Sequence, residues 1–345
     1  MANYGYLNAR VRALRTRLLP PGFADQVLAG GGFEAFTSAL AQTAYAPDLE
    51  SARAHGVAGE GPSLAGVDRA IAANVARTAR ALLGYAEGQA ETLLGLLLRR
   101  YDVANLKAVA RAFHAGKAGA EREGAVEAVL GATLPIGKLD AATVRTMAGA
   151  SDLAGAAQAL VVAGHPLAGA FRAAVAAYVK GGGFFALELA LDQAHHASVL
   201  EEARSAGADE AFLAYLALEV DATNLLTAVK LRGRDLDVDA CFVPGGDTVT
   251  RKQFAEIAAA APGAALPSLR RPFADAPDDP AALEPWLRTA VERTARTLTA
   301  DPLGIGLVTH YLRAKEREAA SLRLLARGTF YGVPAETLRR ELGHA

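Results

Sequence analysis

One helical phrase, written three times, constrains this chain more than any other feature: an acid, a small polar residue three positions on, Leu at four and a base at nine. It reads Asp102, Asn105, Leu106 and Arg111 in YDVANLKAVARAF, then Asp221, Asn224, Leu225 and Lys230 in EVDATNLLTAVKLRG. The last copy is Glu318, Ser321, Leu322 and Arg327 in EREAASLRLLARG. The copies recur at intervals of roughly a hundred residues, too long for a helix-pair solenoid with its units of roughly 20 to 50 residues. The chain is therefore expected to hold repeated small helical domains.

A helix turns through about 100° per residue, so the acid, the residue three on, the Leu and the residue seven on share one stripe. That last position is Val109, Ala228 and Leu325. The polar pairs Asp102 and Asn105, Asp221 and Asn224, Glu318 and Ser321 thus lie on an apolar face, where an unpaired polar group costs about 1 to 3 kcal/mol. They are expected to be buried and to satisfy loose backbone groups of a neighbouring segment. The bases Arg111, Lys230 and Arg327 point the other way, as candidates for contacts between bundles or with a partner, or as solvated or intramolecularly paired charges.

A second fragment follows each phrase: Leu139, Asp140 and Val144, then Val249, Thr250 and Phe254, then Val333, Pro334 and Leu338. Asp140 and Thr250 suit a helix N-cap, Gln253 completes a capping box with Thr250, and Pro334 suits a first helical turn. The apolar residue before each start and the one after it form a hydrophobic staple. The repeats place the units at 1–150 with the N-terminal helix, 151–264 and 265–345. Ala, Leu, Arg and Glu are frequent and β-branched alternation is nearly absent, so the fold class is all-α. A hydrophobic fraction of 52% is ample for buried cores.

The rest of the chain excludes more than it assigns. A net charge of −1 gives no electrostatic footprint for nucleic acid or an anionic membrane. The single Cys241 rules out an internal disulfide and fits a reducing, cytoplasmic setting. Neither an export segment nor a membrane span is expected, because charged and polar residues interrupt even the Ala-rich stretch from Ala150 to Val179. The string GATLPIGK departs from a phosphate loop in its glycine spacing, and Leu139 stands where a magnesium-binding hydroxyl is required. His195, His196, Glu201 and Glu202 match no zinc-helix spacing. No catalytic residue, cofactor or metal is assigned, and the isolated chain is expected to be a monomer. Along the N-terminal helix Leu7, Val11, Leu14 and Leu18 draw one apolar seam with Arg10, Arg12, Arg15 and Arg17 off it, a helix that can dock on the protein's own repeats, the default expectation, or on a partner.

Four segments in order, YGYLNARVRALRTRLL, RRYDVANLKAVARA, EVDATNLLTAVKLRG and YLRAKEREAASLRLLARGTFYGVPAETLRREL, resemble the C-subunit family of the V-type and archaeal A-type rotary ATPases, whose eukaryotic member is the d subunit of the V-ATPase. The likeness runs from Tyr4 to Leu342, and Ser321 stands where that family's last phrase usually has Asn. The resemblance implies a non-catalytic rotor part of three similar bundles about a pseudo-threefold axis, shaped as a funnel. It implies a place at the cytoplasmic mouth of the membrane proteolipid ring, where the funnel receives the central stalk and passes torque between ATP chemistry and ion movement. Read from the residues alone, an all-α adaptor outside rotary ATPases, or an all-α enzyme using the repeated acids to hold a metal, stays open.

Overall fold

The computed structural model describes residues 4–54, 63–119, 124–234 and 236–344, and every regular element among them is helical. In chain order these are α1 (Gly5–Arg15), α2 (Phe23–Gly30), α3 (Gly32–Leu40), α4 (Ala46–Ala54), α5 (Leu64–Leu83) and α6 (Gln89–His114). Next come α7 (Ala125–Ala132), α8 (Ala141–Ala148), α9 (Leu153–Val162), α10 (Ala168–Val179), α11 (Phe184–Ser205) and α12 (Glu210–Leu231). The chain closes with α13 (Arg251–Ala259), α14 (Pro280–Thr297), α15 (Gly306–Phe330) and α16 (Ala335–His344). The three phrases sit in the interiors of α6, α12 and α15, three of the longest helices.

The chain divides into two compact units. One is discontinuous, joining Met1–Ala86 to Ala295–Ala345, and the other runs from Glu87 to Thr294. The reason is that the last phrase helix finds its packing partners at the opposite end of the sequence. Within the discontinuous unit α15 lies against α1, α3, α5 and α16, and α16 also reaches α2. Leu7, Val11, Phe36, Leu40, Ile71, Leu322 and Leu325 are each almost fully enclosed in its core.

The N-terminal helix is shorter than its seam. Leu7 and Val11 are buried, but α1 stops at Arg15 because Pro20 and Pro21 lie just ahead and bias the preceding residues away from helix. Leu18 and Leu19 are therefore carried into a turn. Asn8, fully buried, ties this helix to the far end of the chain by donating from Nδ2 to the carbonyls of Pro302, at 2.9 Å, and Gly304, at 3.0 Å.

In the continuous unit α6 packs on α7, α8 and α11, α10 on α9 and α11, and α12 on α11 and α13. Its first core gathers Leu106, Val109, Leu139, Val144, Met147, Leu160, Phe171 and Leu191. Gly116, with φ 62, closes α6 in the left-handed conformation that a residue with a Cβ rarely adopts. Asp140 caps α8 by accepting from the Thr143 N–H at 2.7 Å, and Thr250 and Gln253 form a reciprocal capping box on α13. The staple pairs Leu139 with Val144 and Val249 with Phe254 are all buried. In the last copy Val333 is exposed while Leu338 is buried, and Pro334 stands just before α16, accepting from the Leu338 N–H rather than lying in the first turn.

By length and composition α12 alone among the described helices could cross a membrane. Its apolar window is 67% buried within the protein, as in a core helix.

Asn8→Ala takes this donor from the buried Gly304 carbonyl and the part-buried Pro302 carbonyl, so it is expected to lower stability by about 1 to 3 kcal/mol. The exposed Arg12→Ala on the same helix should stay within about half a kcal/mol. Denaturant midpoints of the two variants, at unchanged slope, make the comparison.

Candidate functional site

The polar pair of α6 grips one loop. Asn105 brackets Leu134 from both sides, its Oδ1 accepting from the Leu134 N–H at 2.7 Å while its Nδ2 donates to the Leu134 carbonyl at 2.9 Å. Asp102, 1% exposed, accepts from the N–H groups of Lys138 at 3.0 Å and Leu139 at 3.1 Å. A third bond at 3.2 Å comes from His165 Nε2. The Leu167 N–H donates to His165 Nδ1, which leaves Nε2 to carry the hydrogen that Asp102 receives.

The pair of α12 repeats the grip. Asn224 brackets Val243, accepting from its N–H at 2.9 Å and donating to its carbonyl at 2.8 Å. Asp221 accepts from the N–H groups of Asp247, Thr248 and Val249 at 2.8 to 3.0 Å. Burial pushes the Asp221 carboxyl above the usual carboxylate range, and the three N–H donors oppose that shift.

Both loops share a spelling that the helical phrases do not announce: an aliphatic residue, Pro, any residue and Gly. They are Leu134, Pro135, Ile136 and Gly137, and Val243, Pro244, Gly245 and Gly246. Proline holds the bracketed residue extended, and the glycine makes room for the acid. A Cβ on Gly137 would overlap the Asp102 carboxylate, and a Cβ on Gly246 would overlap that of Asp221.

The same spelling occurs once more, in Leu19, Pro20, Pro21 and Gly22, near the start of the chain. Its acid is Glu318 on α15, whose Oε2 accepts from the Leu19 N–H at 2.6 Å across 299 residues of sequence. The grip is looser here. Glu318, one methylene longer than Asp, does the work that Asn105 and Asn224 do elsewhere, and the half-buried Ser321 hydroxyl takes no part. Its Oε1 accepts instead from Tyr45 Oη and Lys315 Nζ, both at 2.7 Å. Burial lowers the Lys315 ammonium and Glu318 counteracts it, while burial beside Glu318 drives the Tyr45 hydroxyl far up. Nothing lies within 4 Å of a Cβ placed on Gly22.

The three bases are exposed, and each reaches an acid on one of the long helices that precede or follow a phrase helix in the chain. Arg111 meets Glu188 of α11 at 2.5 Å, Lys230 meets Glu284 of α14 at 2.9 Å and Arg327 meets Asp68 of α5 at 3.4 Å. Between α6 and α11 two better-buried pairs extend the seam. Arg99 holds Glu202 with both Nη atoms, and Lys107 holds Asp192 at 2.6 Å. Rising numbers on α6 meet falling numbers on α11, so these helices run antiparallel.

Among the described residues no group of His, Cys, Asp and Glu is arranged to hold a metal ion. Glu202 is engaged by Arg99, and His195 is buried. Desolvation, then the neighbouring His196 and Arg100, hold the His195 imidazole down to about 2. The phrase carboxylates spend their lone pairs on backbone N–H groups and, at Asp102 and Glu318, on neighbouring side-chain donors as well, which suits holding loops in place and leaves little for acid–base chemistry.

Comparison with known proteins agrees over nearly the whole chain. The model of the ATP synthase (C/AC39) subunit family matches residues 7–341. The C subunit of the V-type ATP synthase of Deinococcus radiodurans is 36% identical over 341 residues, covering 99% of this chain and 91% of the relative. The C subunit of the V-type ATP synthase of Thermus thermophilus is 37% identical over 351 residues, covering 99% and 98%. The C subunit of the A-type ATP synthase of Archaeoglobus fulgidus is 25% identical over 356 residues, covering 99% and 96%.

Gly137→Ala and Gly246→Ala should each cost about 1 to 3 kcal/mol or more, because the methyl group displaces a carboxylate held by backbone donors. Gly22→Ala should change stability by less than about half a kcal/mol. Thermal or denaturant unfolding of the three variants reads the difference. Histidine gives a second expectation. The His195 ring takes up protons in the unfolded chain below about pH 6.5 but stays neutral when folded, so acidification below that point favours unfolding. The loss has a limiting slope of about 1.4 kcal/mol per pH unit from this group, and His195→Gln should remove it. Stability measured at intervals from pH 7 to 4.5 in both proteins provides the check.

Proposed function

The chain belongs to the ATP synthase (C/AC39) subunit family, and we propose that within a rotary complex it is the connector between the central stalk and the membrane ring of proteolipid subunits. It is a structural subunit of that complex, not the catalytic one. The proposed connector is present as a single copy on the rotation axis, at the cytoplasmic face, and passes torque between ATP chemistry and ion movement. Its three repeats serve as the load-carrying units, with the N-terminal segment completing the last.

The observation that carries this reading is the grip made on each phrase helix. A part that transmits torque must not yield internally, and packed interiors with satisfied polar groups transmit strain rather than absorb it. Loops are ordinarily the most yielding segments of a small bundle. Here the loops at Leu134 and Val243 are each held by an amide bracket and two or three N–H bonds to a carboxylate. The antiparallel seam of Arg99, Lys107 and Arg111 against α11 ties successive helical layers in the same way. Such a seam resists sliding because each step along it breaks a charge-assisted bond.

The experiment is to purify the membrane complex with and without this chain and to measure ATP hydrolysis, ion transport and retention of the soluble head. Loss of the chain should leave hydrolysis in the head and abolish coupled transport. Intact coupled transport without it, or tagged protein that recovers neither stalk nor ring components, would overturn the connector reading in favour of a helical adaptor elsewhere.

A further inference from the structure

We infer that the C-terminal end of α12 carries a binding site for a phosphate-type oxyanion, built around Arg232. This side chain is 7% exposed, yet no described carboxylate pairs with it. Its guanidinium donates only to carbonyls: Nε to Ile257 at 3.1 Å, and Nη1 to Ala264 at 2.8 Å and more weakly to Asp278 at 3.5 Å. The Nη2 amino group is enclosed and has no acceptor among the described residues. An enclosed cation without a counter-charge is among the least favourable arrangements in a protein, and an unmatched charged donor adds to the cost. Arg99, the other buried base described in the unit, meets a carboxylate.

Arg232 also lines a cavity of about 250 Å³, shared with Lys230, Arg234, Pro262, Asp278 and Pro280. Three bases thus line one small space, with Asp278 the one acid among its described lining residues and Glu284 drawing on Lys230 from outside. The exposed Arg234 has no described ion-pair partner. The space admits a tetrahedral oxyanion with a few further atoms and is too small for a drug-sized ligand. A phosphate group presents several acceptors, enough to take one bond from each of the two flanking bases, Lys230 and Arg234, while its charge offsets that of the enclosed guanidinium. Nothing in this inference depends on the rotor role.

The test uses the full chain and inorganic phosphate, with chloride at matched ionic strength as reference and ADP as a separate arm. Phosphate should raise the melting temperature saturably and broaden its own phosphorus resonance in the presence of protein. Arg234→Ala and Lys230→Ala, both at exposed positions and expected to fold, should each weaken the apparent affinity about tenfold or more, the effect of losing one charge-assisted bond. Arg232→Gln removes the enclosed charge and should abolish the response. A stronger response to ADP than to phosphate assigns the oxyanion to a nucleotide, and the reverse assigns it to free phosphate. If neither ligand exceeds the chloride reference, or if Arg234→Ala and Lys230→Ala respond like the parent, Arg232 is a purely structural staple and the site does not exist.

Discussion

Everything else in the fold depends on one interaction: a carboxylate in the interior of a core helix accepting the backbone N–H groups of a loop folded over it. Such a loop would otherwise bury unpaired donors, and such an acid would bury a bare charge. Each removes the other's penalty. Because Asp102 and Asp221 can do this only where no Cβ intervenes, the loop must carry glycine at one position, Gly137 or Gly246. The amide one helical turn on, Asn105 or Asn224, then fixes register by bracketing a residue that the following proline holds extended.

The third copy shows which parts of this device can vary. With Ser321 unable to bracket the loop, the longer Glu318 reaches the Leu19 N–H itself, and the remaining oxygen is taken up by Tyr45 and Lys315. The glycine at Gly22 is then under no steric demand. Closing the device between Leu19 and Glu318 is also what makes its unit discontinuous, so that Asn8 and the carbonyls of Pro302 and Gly304 join chain ends almost 300 residues apart.

The phrase helices were legible in the sequence because periodicity within one helix is a local property, and so were the caps at Asp140 and Thr250, which act within one turn. All-helical class followed from the same cues. The pairing of the two chain ends was not legible in that way, because packing assigns Leu19 and Tyr45 to Glu318 across 299 and 273 residues of sequence. The spelling Leu19, Pro20, Pro21, Gly22 could have revealed this, had it been set beside Leu134 to Gly137 and Val243 to Gly246. The partners of Arg111, Lys230 and Arg327 were out of reach, since exposed acids are common and nothing in the chain marks Glu188, Glu284 or Asp68 as theirs. Arg232 was equally silent, because its partners are carbonyls that every residue possesses.

Native-state hydrogen exchange at the loop amides of Leu134, Leu139, Val243 and Val249 tests most directly whether the grip on the phrase helices is permanent. These amides lie outside regular helix, where exchange ordinarily proceeds through small local openings. If the buried acids and amides lock the loops, all four should exchange with the same opening free energy as the interior amides of α6 and α12. Exchange at these four positions through low-energy local openings, while the helices stay protected, would contradict the lock and with it the stiffness attributed to each repeat.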